Sequence, residues 1–280
     1  MRLLAALVLS LGLGCGASAR AEPAKAQPPP EEPVMQVNLV RSAAPGCGRQ
    51  CPEWIAAQGR IEPGTAARFK TVLRRLGKRK VPVLIDSGGG SVSESFEIGR
   101  MLRARGLDVV VAGTVLAPCG RTDSACRQGR SHKPRPGLPQ SELSKCASAC
   151  AFILAAGARR LVGPTAFVGV HRIRTFRVML AYRPAGSARV VAERWETERV
   201  VEIPTPQRTY DEIRKYFGEM GIGEQVVGLI LQTPADSLHW MTRGELKTSR
   251  LATDGIDGME LVLGPTPAEA EEKTGVASGE

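Results

Sequence analysis

Cys146–Ala147–Ser148–Ala149–Cys150–Ala151–Phe152–Ile153–Leu154–Ala155–Ala156–Gly157 is followed, ten residues on, by Phe167–Val168–Gly169–Val170–His171. The first segment sets a hydroxyl among small residues and runs on into an apolar stretch of helical character. The second is a short apolar run that closes on histidine. A serine hydroxyl is a poor nucleophile until a base takes its proton, and histidine is the side chain best poised to do so near neutral pH. On the local pattern alone, Ser148 is equally a helix N-cap. The remaining histidines are His132, in a Lys-Pro-Arg-Pro loop that reads as solvated, and His239, beside Trp240, which reads as packed or partly exposed.

Upstream, strand and helix signals alternate. Trp54 to Gly59 reads as a strand entering a turn at Glu62–Pro63–Gly64. Thr65 to Leu76 carries Phe69, Val72, Leu73 and Leu76 at helical spacing, with Gly77 as the stop. Val81 to Ile85 is an apolar run suited to a strand covered on both faces. It ends in Asp86–Ser87–Gly88–Gly89–Gly90–Ser91, after which Ser91 and Glu94 have capping-box spacing and a second helix is expected. Leu107 to Ala112 is the next strand. This alternation predicts an α/β fold. The glycines do not cradle a phosphate by any known fingerprint, because neither a Gly-Lys-Ser/Thr ending nor G-x-G-x-x-G spacing is present.

Taken together, Ile85 to Val92, Cys146 to Leu161 and Phe167 to His171 resemble the proteolytic subunit of Clp peptidases. In that family a Gly-Gly-Ser-Val turn precedes a helix, the nucleophilic serine opens a later helix, and the base histidine follows a strand. The order and the 23-residue gap between Ser148 and His171 match. The Cys-x-Ser-x-Cys context is similar to periplasmic Clp-like proteins of bacteria. The resemblance spans roughly residues 54–257, with insertions expected near 114–144 and 172–204. It implies a crotonase-type core of repeated ββα units with a helical C-terminal portion. It also implies Ser148 as nucleophile, His171 as base, and the Gly90 and Ala149 N–H groups as oxyanion donors. Gly88, Gly89 and Ser91 would line a substrate-binding loop. The acidic third member falls on the Thr233–Glu245 region, where Asp236 is the nearest carboxylate, two positions early; otherwise a backbone carbonyl would orient a Ser–His dyad. Ala149–Cys150 replaces the family's Met-Gly after the nucleophile.

The flanks read differently. Residues 1–21 combine a basic start, a short apolar run and an A-x-A ending, the pattern of a secretory signal. Cys15 raises a lipoprotein site, the one route to a membrane, but Gly12 fits that signal poorly. Residues 22–33 read as a flexible linker, 34–264 as the domain and 265–280 as a disordered tail. A periplasmic location follows as the expectation. Without Cys15, six cysteines remain in three close pairs: Cys47 and Cys51, Cys119 and Cys126, Cys146 and Cys150. In an exported chain they predict disulfides of undetermined connectivity. Zinc is the alternative, disfavoured by the absence of C-x2-C spacing and of nearby histidine.

The formal charge of +10 is spread along the chain, and aromatic residues make up only 4%. That combination argues against a nucleic-acid stripe. Ala117 to Leu143 reads as a polar insertion loop, Arg172 to Pro204 as a hairpin or oligomer contact, and Thr209 to Met220 as a core helix. The expectation is a serine peptidase-like hydrolase acting on extended peptides, homo-oligomeric, needing no metal or cofactor. Two rivals remain: a peptide-binding module without turnover, and an acyl-CoA enzyme of the same fold, which export opposes.

Overall fold

The computed structural model describes residues 32–45, 51–118, 133–185, 192–256 and 258–263. The fold begins with β1 (Gln36–Ser42) and β2 (Glu53–Gln58), followed by α1 (Thr65–Leu76), β3 (Val83–Asp86), α2 (Val92–Arg105) and β4 (Val109–Val111). Next come β5 (Gly113–Leu116), β6 (Arg135–Gln140), β7 (Lys145–Ala147), α3 (Cys150–Ala155), β8 (Arg160–Val162) and β9 (Phe167–Val170). The C-terminal part holds β10 (Thr175–Ala185), β11 (Ala192–Ile203), α4 (Gln207–Met220), α5 (Gln225–Gln232), β12 (His239–Trp240), α6 (Arg243–Thr248) and α7 (Gly258–Leu263). The α/β expectation holds.

A seven-stranded sheet in the order β5-β6-β1-β2-β3-β4-β8 forms the backbone of the molecule. Its centre is parallel: β2 pairs with β3, β3 with β4, and β4 with β8. Successive side chains of a strand point to opposite faces, and here both faces are dry. Ile55, Val83, Ile85, Val109 and Val111 join the large core under the helices. Trp54, Leu84, Val110 and Leu161 face a smaller core with Val262 of α7. This double burial is why the strands read as unbroken apolar runs.

The helices close the larger face. In α1, Ala66, Phe69, Val72, Leu73 and Leu76 form one buried stripe. Ser91 caps α2 by accepting from the Glu94 N–H. The Glu94 carboxylate does not return to Ser91; it accepts from Gly64 N (3.1 Å) and Ala66 N (2.7 Å) at the start of α1. α4 buries Tyr210, Ile213, Tyr216, Phe217 and Met220. Tyr216 donates to Phe152 O at 2.8 Å and stacks on Phe96.

A second sheet, β12-β9-β7, carries the segment on which the sequence reading turned. β7 runs parallel to β9, and β12 antiparallel to it. The expectation that Ala117 to Leu143 is a loop is corrected over part of its length. β6 lies inside the large sheet, between β5 and β1. Its prolines read as loop residues because they lack an N–H, yet Pro136 still offers its carbonyl, accepting from Ala117 N at 3.0 Å. Residues 172–204 do contain a hairpin, β10 and β11, as a two-stranded antiparallel ribbon.

Candidate active site

The site forms where the two sheets are stitched together beyond the end of β3. Ser87 N donates to Lys145 O (2.8 Å) and Ala147 N to Ser87 O (2.9 Å), which joins β7 to the glycine turn. On the opposite side, Ile61 N donates to Gly89 O (2.7 Å) and Ser91 N to Ile61 O (2.8 Å). In a parallel ladder a residue bonds to the two positions flanking its partner. Gly90, the partner of Ile61, is flanked by these two bonds, and its own N–H takes no part in them. Gly89 and Gly90 have φ of 106° and 133°, outside the range that side chains accept. A Cβ on Gly89 would lie 2.7 Å from Ala147 O and from Ser148 Cβ. The glycine turn is thus in direct contact with the serine turn.

Ser148 has φ of 54°, a left-handed conformation rare for a residue with a side chain. Its N–H donates to Gly169 O at 2.8 Å, and its carbonyl accepts from Ala151 N at 3.1 Å. Regular helix begins only at Cys150, so Ser148 sits in the turn before α3 and is not its cap. From that turn the Ser148 Oγ lies 2.8 Å from His171 Nε2. Both residues are half-buried. Cys146 and Cys150, each fully buried, are joined by a disulfide with Cα atoms 5.1 Å apart. Cys51 is also disulfide-bonded. Cys47, Cys119 and Cys126 lie outside the described residues.

His171 follows directly on β9. Arg172 fixes the chain after it, with Arg172 N donating to Thr233 O (3.1 Å) and Arg172 Nε to Leu231 O (2.7 Å). Burial lowers the pKa of His171; the backbone carbonyls of Arg172 and Ala235 oppose that shift, and the Arg174 charge adds to it. Nδ1 is buried and has no hydrogen-bond partner among the described residues. With Nε2 facing Ser148, neither ring nitrogen meets a carboxylate. Asp236 is exposed and acts electrostatically on Arg174. The structure does not bring it to His171. The Ala235 carbonyl, in the turn in which Ser237 N donates to Pro234 O, is close enough to the ring to oppose the effect of burial but makes no hydrogen bond to Nδ1. Sequence reading favoured the carboxylate because it compares side chains, whereas the neighbouring backbone carbonyl leaves no signal in residue type.

The remaining candidates are placed as follows. Among the described residues, the N–H groups of Gly90 and Ala149 donate to no backbone acceptor. Gly88 N donates to the Glu32 carboxylate at 2.9 and 3.1 Å, a contact sequence reading missed because 56 residues separate the partners. Gly89 N donates to Ser87 Oγ at 3.1 Å, and Ser91 Oγ caps α2. Of the glycine turn, Gly90 therefore has an uncommitted N–H. His239 is bound to Glu245 at 3.0 Å, and Lys145 lies 3.9 Å from Glu32.

The chain is similar to peptidases of known structure. One is a variant of a membrane-bound stomatin-specific protease, at 13% identity and a TM-score of 0.42, covering 73% of this chain and 78% of that one. A second variant of that protease, in complex with a substrate peptide, gives 12% identity, a TM-score of 0.41, and coverage of 76% and 75%. ClpP1 from Listeria monocytogenes gives 17% identity, a TM-score of 0.41, and coverage of 72% and 90%. No family model matches the chain, and no curated protein matches it in sequence.

Chemically, a neutral imidazole bonded to a serine hydroxyl can accept its proton as the oxygen attacks an electrophile. Two uncommitted N–H groups on the adjoining turns suit a developing oxyanion. The two cysteines beside the serine are oxidised to one disulfide, so neither supplies a thiolate to a metal or to a substrate.

Proposed function

We propose that this chain is an exported serine-type hydrolase that cleaves peptide bonds, working in the periplasm as a homo-oligomer. The observation that carries the reading is the 2.8 Å contact between Ser148 Oγ and His171 Nε2. Ser148 Oγ attacks the scissile carbonyl while His171 Nε2 takes its proton. The Gly90 and Ala149 N–H groups receive the oxyanion. His171 then protonates the leaving amine, and water releases the acyl group by the same route. Positioned acid–base help of this kind contributes on the order of 10²–10⁴ in rate, and one oxyanion donor about 10²–10³. An extended peptide pairs along the glycine turn by β-augmentation.

The unpartnered Nδ1 of His171 favours a second reading, a peptide-binding module without turnover. Labelling the oxidised protein with a fluorophosphonate separates the two. The hydrolase reading expects a covalent adduct on Ser148, lost in Ser148→Ala and reduced by at least about 100-fold in His171→Ala. A folded protein that stays unlabelled overturns it in favour of the binding module.

A further inference from the structure

We propose that the Cys146–Cys150 disulfide is a positioning device for Ser148, so that the hydrolase becomes competent only once this bond has formed. The inference rests on the reading of Ser148 as nucleophile. Its basis is the local geometry. Ser148 lies midway between the two cysteines and is held at φ 54°. A non-glycine residue keeps that conformation only where its surroundings over-determine it. The two hydrogen bonds from the turn to Gly169 and Ala151 fix the Ser148 peptide groups. The disulfide ties the strand before the turn to the helix after it. It thereby fixes the angle at which the turn leaves β7 and enters α3.

A covalent tie this short adds less to global stability than a longer one, about 2 kcal/mol on a chain-entropy account, because that stabilisation shrinks with the length of the closed loop. Its effect is concentrated on the residues it encloses. Among those, Ser148 is the one whose side chain reaches His171. Both cysteines have no exposed surface, so exchange at either sulfur, in either direction, requires the turn to open locally. Formation is an exchange with a small-molecule disulfide such as oxidised glutathione. The Cys146 and Cys150 sulfurs join, two electrons and two protons pass to the oxidant's sulfurs, and two small thiols leave. A thiol-rich compartment would thus hold the chain folded but silent, and an oxidising one would switch it on.

The test compares oxidised wild type with Cys146→Ala/Cys150→Ala, substituted together so that no lone thiol remains. Fluorophosphonate labelling is followed against probe concentration and pH, alongside circular dichroism and thermal melting. The expected result is a folded double variant whose maximal labelling rate falls at least about tenfold, misplacement of a reacting group by about 1 Å being worth up to about 100-fold. The half-saturating probe concentration and the pH midpoint set by His171 should not change. A bond that merely stabilises the fold would lower the melting temperature and leave the rate of the folded fraction intact, and that outcome overturns the proposal. Should the double variant not fold, wild type refolded under reductant and then reoxidised with glutathione disulfide decides. Labelling that returns with the mass change of the 146–150 bond supports the proposal, and labelling indifferent to it refutes it. Oxidised wild type that never labels overturns the hydrolase reading itself, and this inference falls with it.

Discussion

His171 is the residue whose environment makes the sharpest prediction. Burial, as the largest influence, lowers its pKa, and the neutral form is the one that can accept the Ser148 proton. The labelling rate should therefore rise with pH, with a midpoint below the usual value of about 6.5, and level off above it. A midpoint at or above 6.5 would contradict burial as the dominant influence. The same shift affects stability. An unfolded chain with an ordinary imidazole binds a proton that the folded chain refuses, so stability falls as pH drops from about 6.5 toward the folded pKa. Gly89 gives a second test. A methyl group there would meet Ala147 O and Ser148 Cβ at 2.7 Å. Gly89→Ala should cut labelling by about 100-fold or more, even in protein that still melts cooperatively. The Ser148–His171 pairing was legible in the resemblance of the segments that carry the two residues to Clp peptidases. That Asp236 acts on Arg174 rather than on His171 was not, since its place in the sequence suits either and only the fold decides.

Elements were read best where burial imposed a period. The stripe of α1 follows the helical spacing that a one-sided core requires, and β3 and β4 show the unbroken apolar runs that burial on both faces requires. Glu94 shows what such reading cannot reach. Its spacing from Ser91 points to a cap on its own helix, yet its carboxylate serves two N–H groups at the start of α1. A carboxylate there also complements the positive end of that helix. Glu94→Ala should lower stability by about 1–2 kcal/mol, as measured by urea unfolding. A loss confined to the ordinary surface range of ±0.5 kcal/mol would show the contact to be idle. β6 escaped sequence reading for a different reason. Pro136 and Pro139 hid a strand whose membership depends on β1, which lies almost 100 residues upstream.

At the scale of the molecule, the ribbon of β10 and β11 is the part least able to stand alone, since isolated two-stranded hairpins are marginal in water. Val178 and Val200 face each other across it and are 53% and 54% exposed. If the proposed homo-oligomer uses this surface, Val178→Asp with Val200→Asp will reduce the mass seen by light scattering while the core melts as before. An unchanged mass would move the contact elsewhere. The stitch between the two sheets carries a last consequence. Ser91 N and Ala147 N belong to different ladders, one reaching back to Ile61 and the other to Ser87, yet only the glycine turn lies between their acceptor strands. Neither hydrogen bond can open by fraying its own sheet edge without displacing that turn. Amide hydrogen exchange should accordingly find the two protected to the same degree and released in one cooperative event.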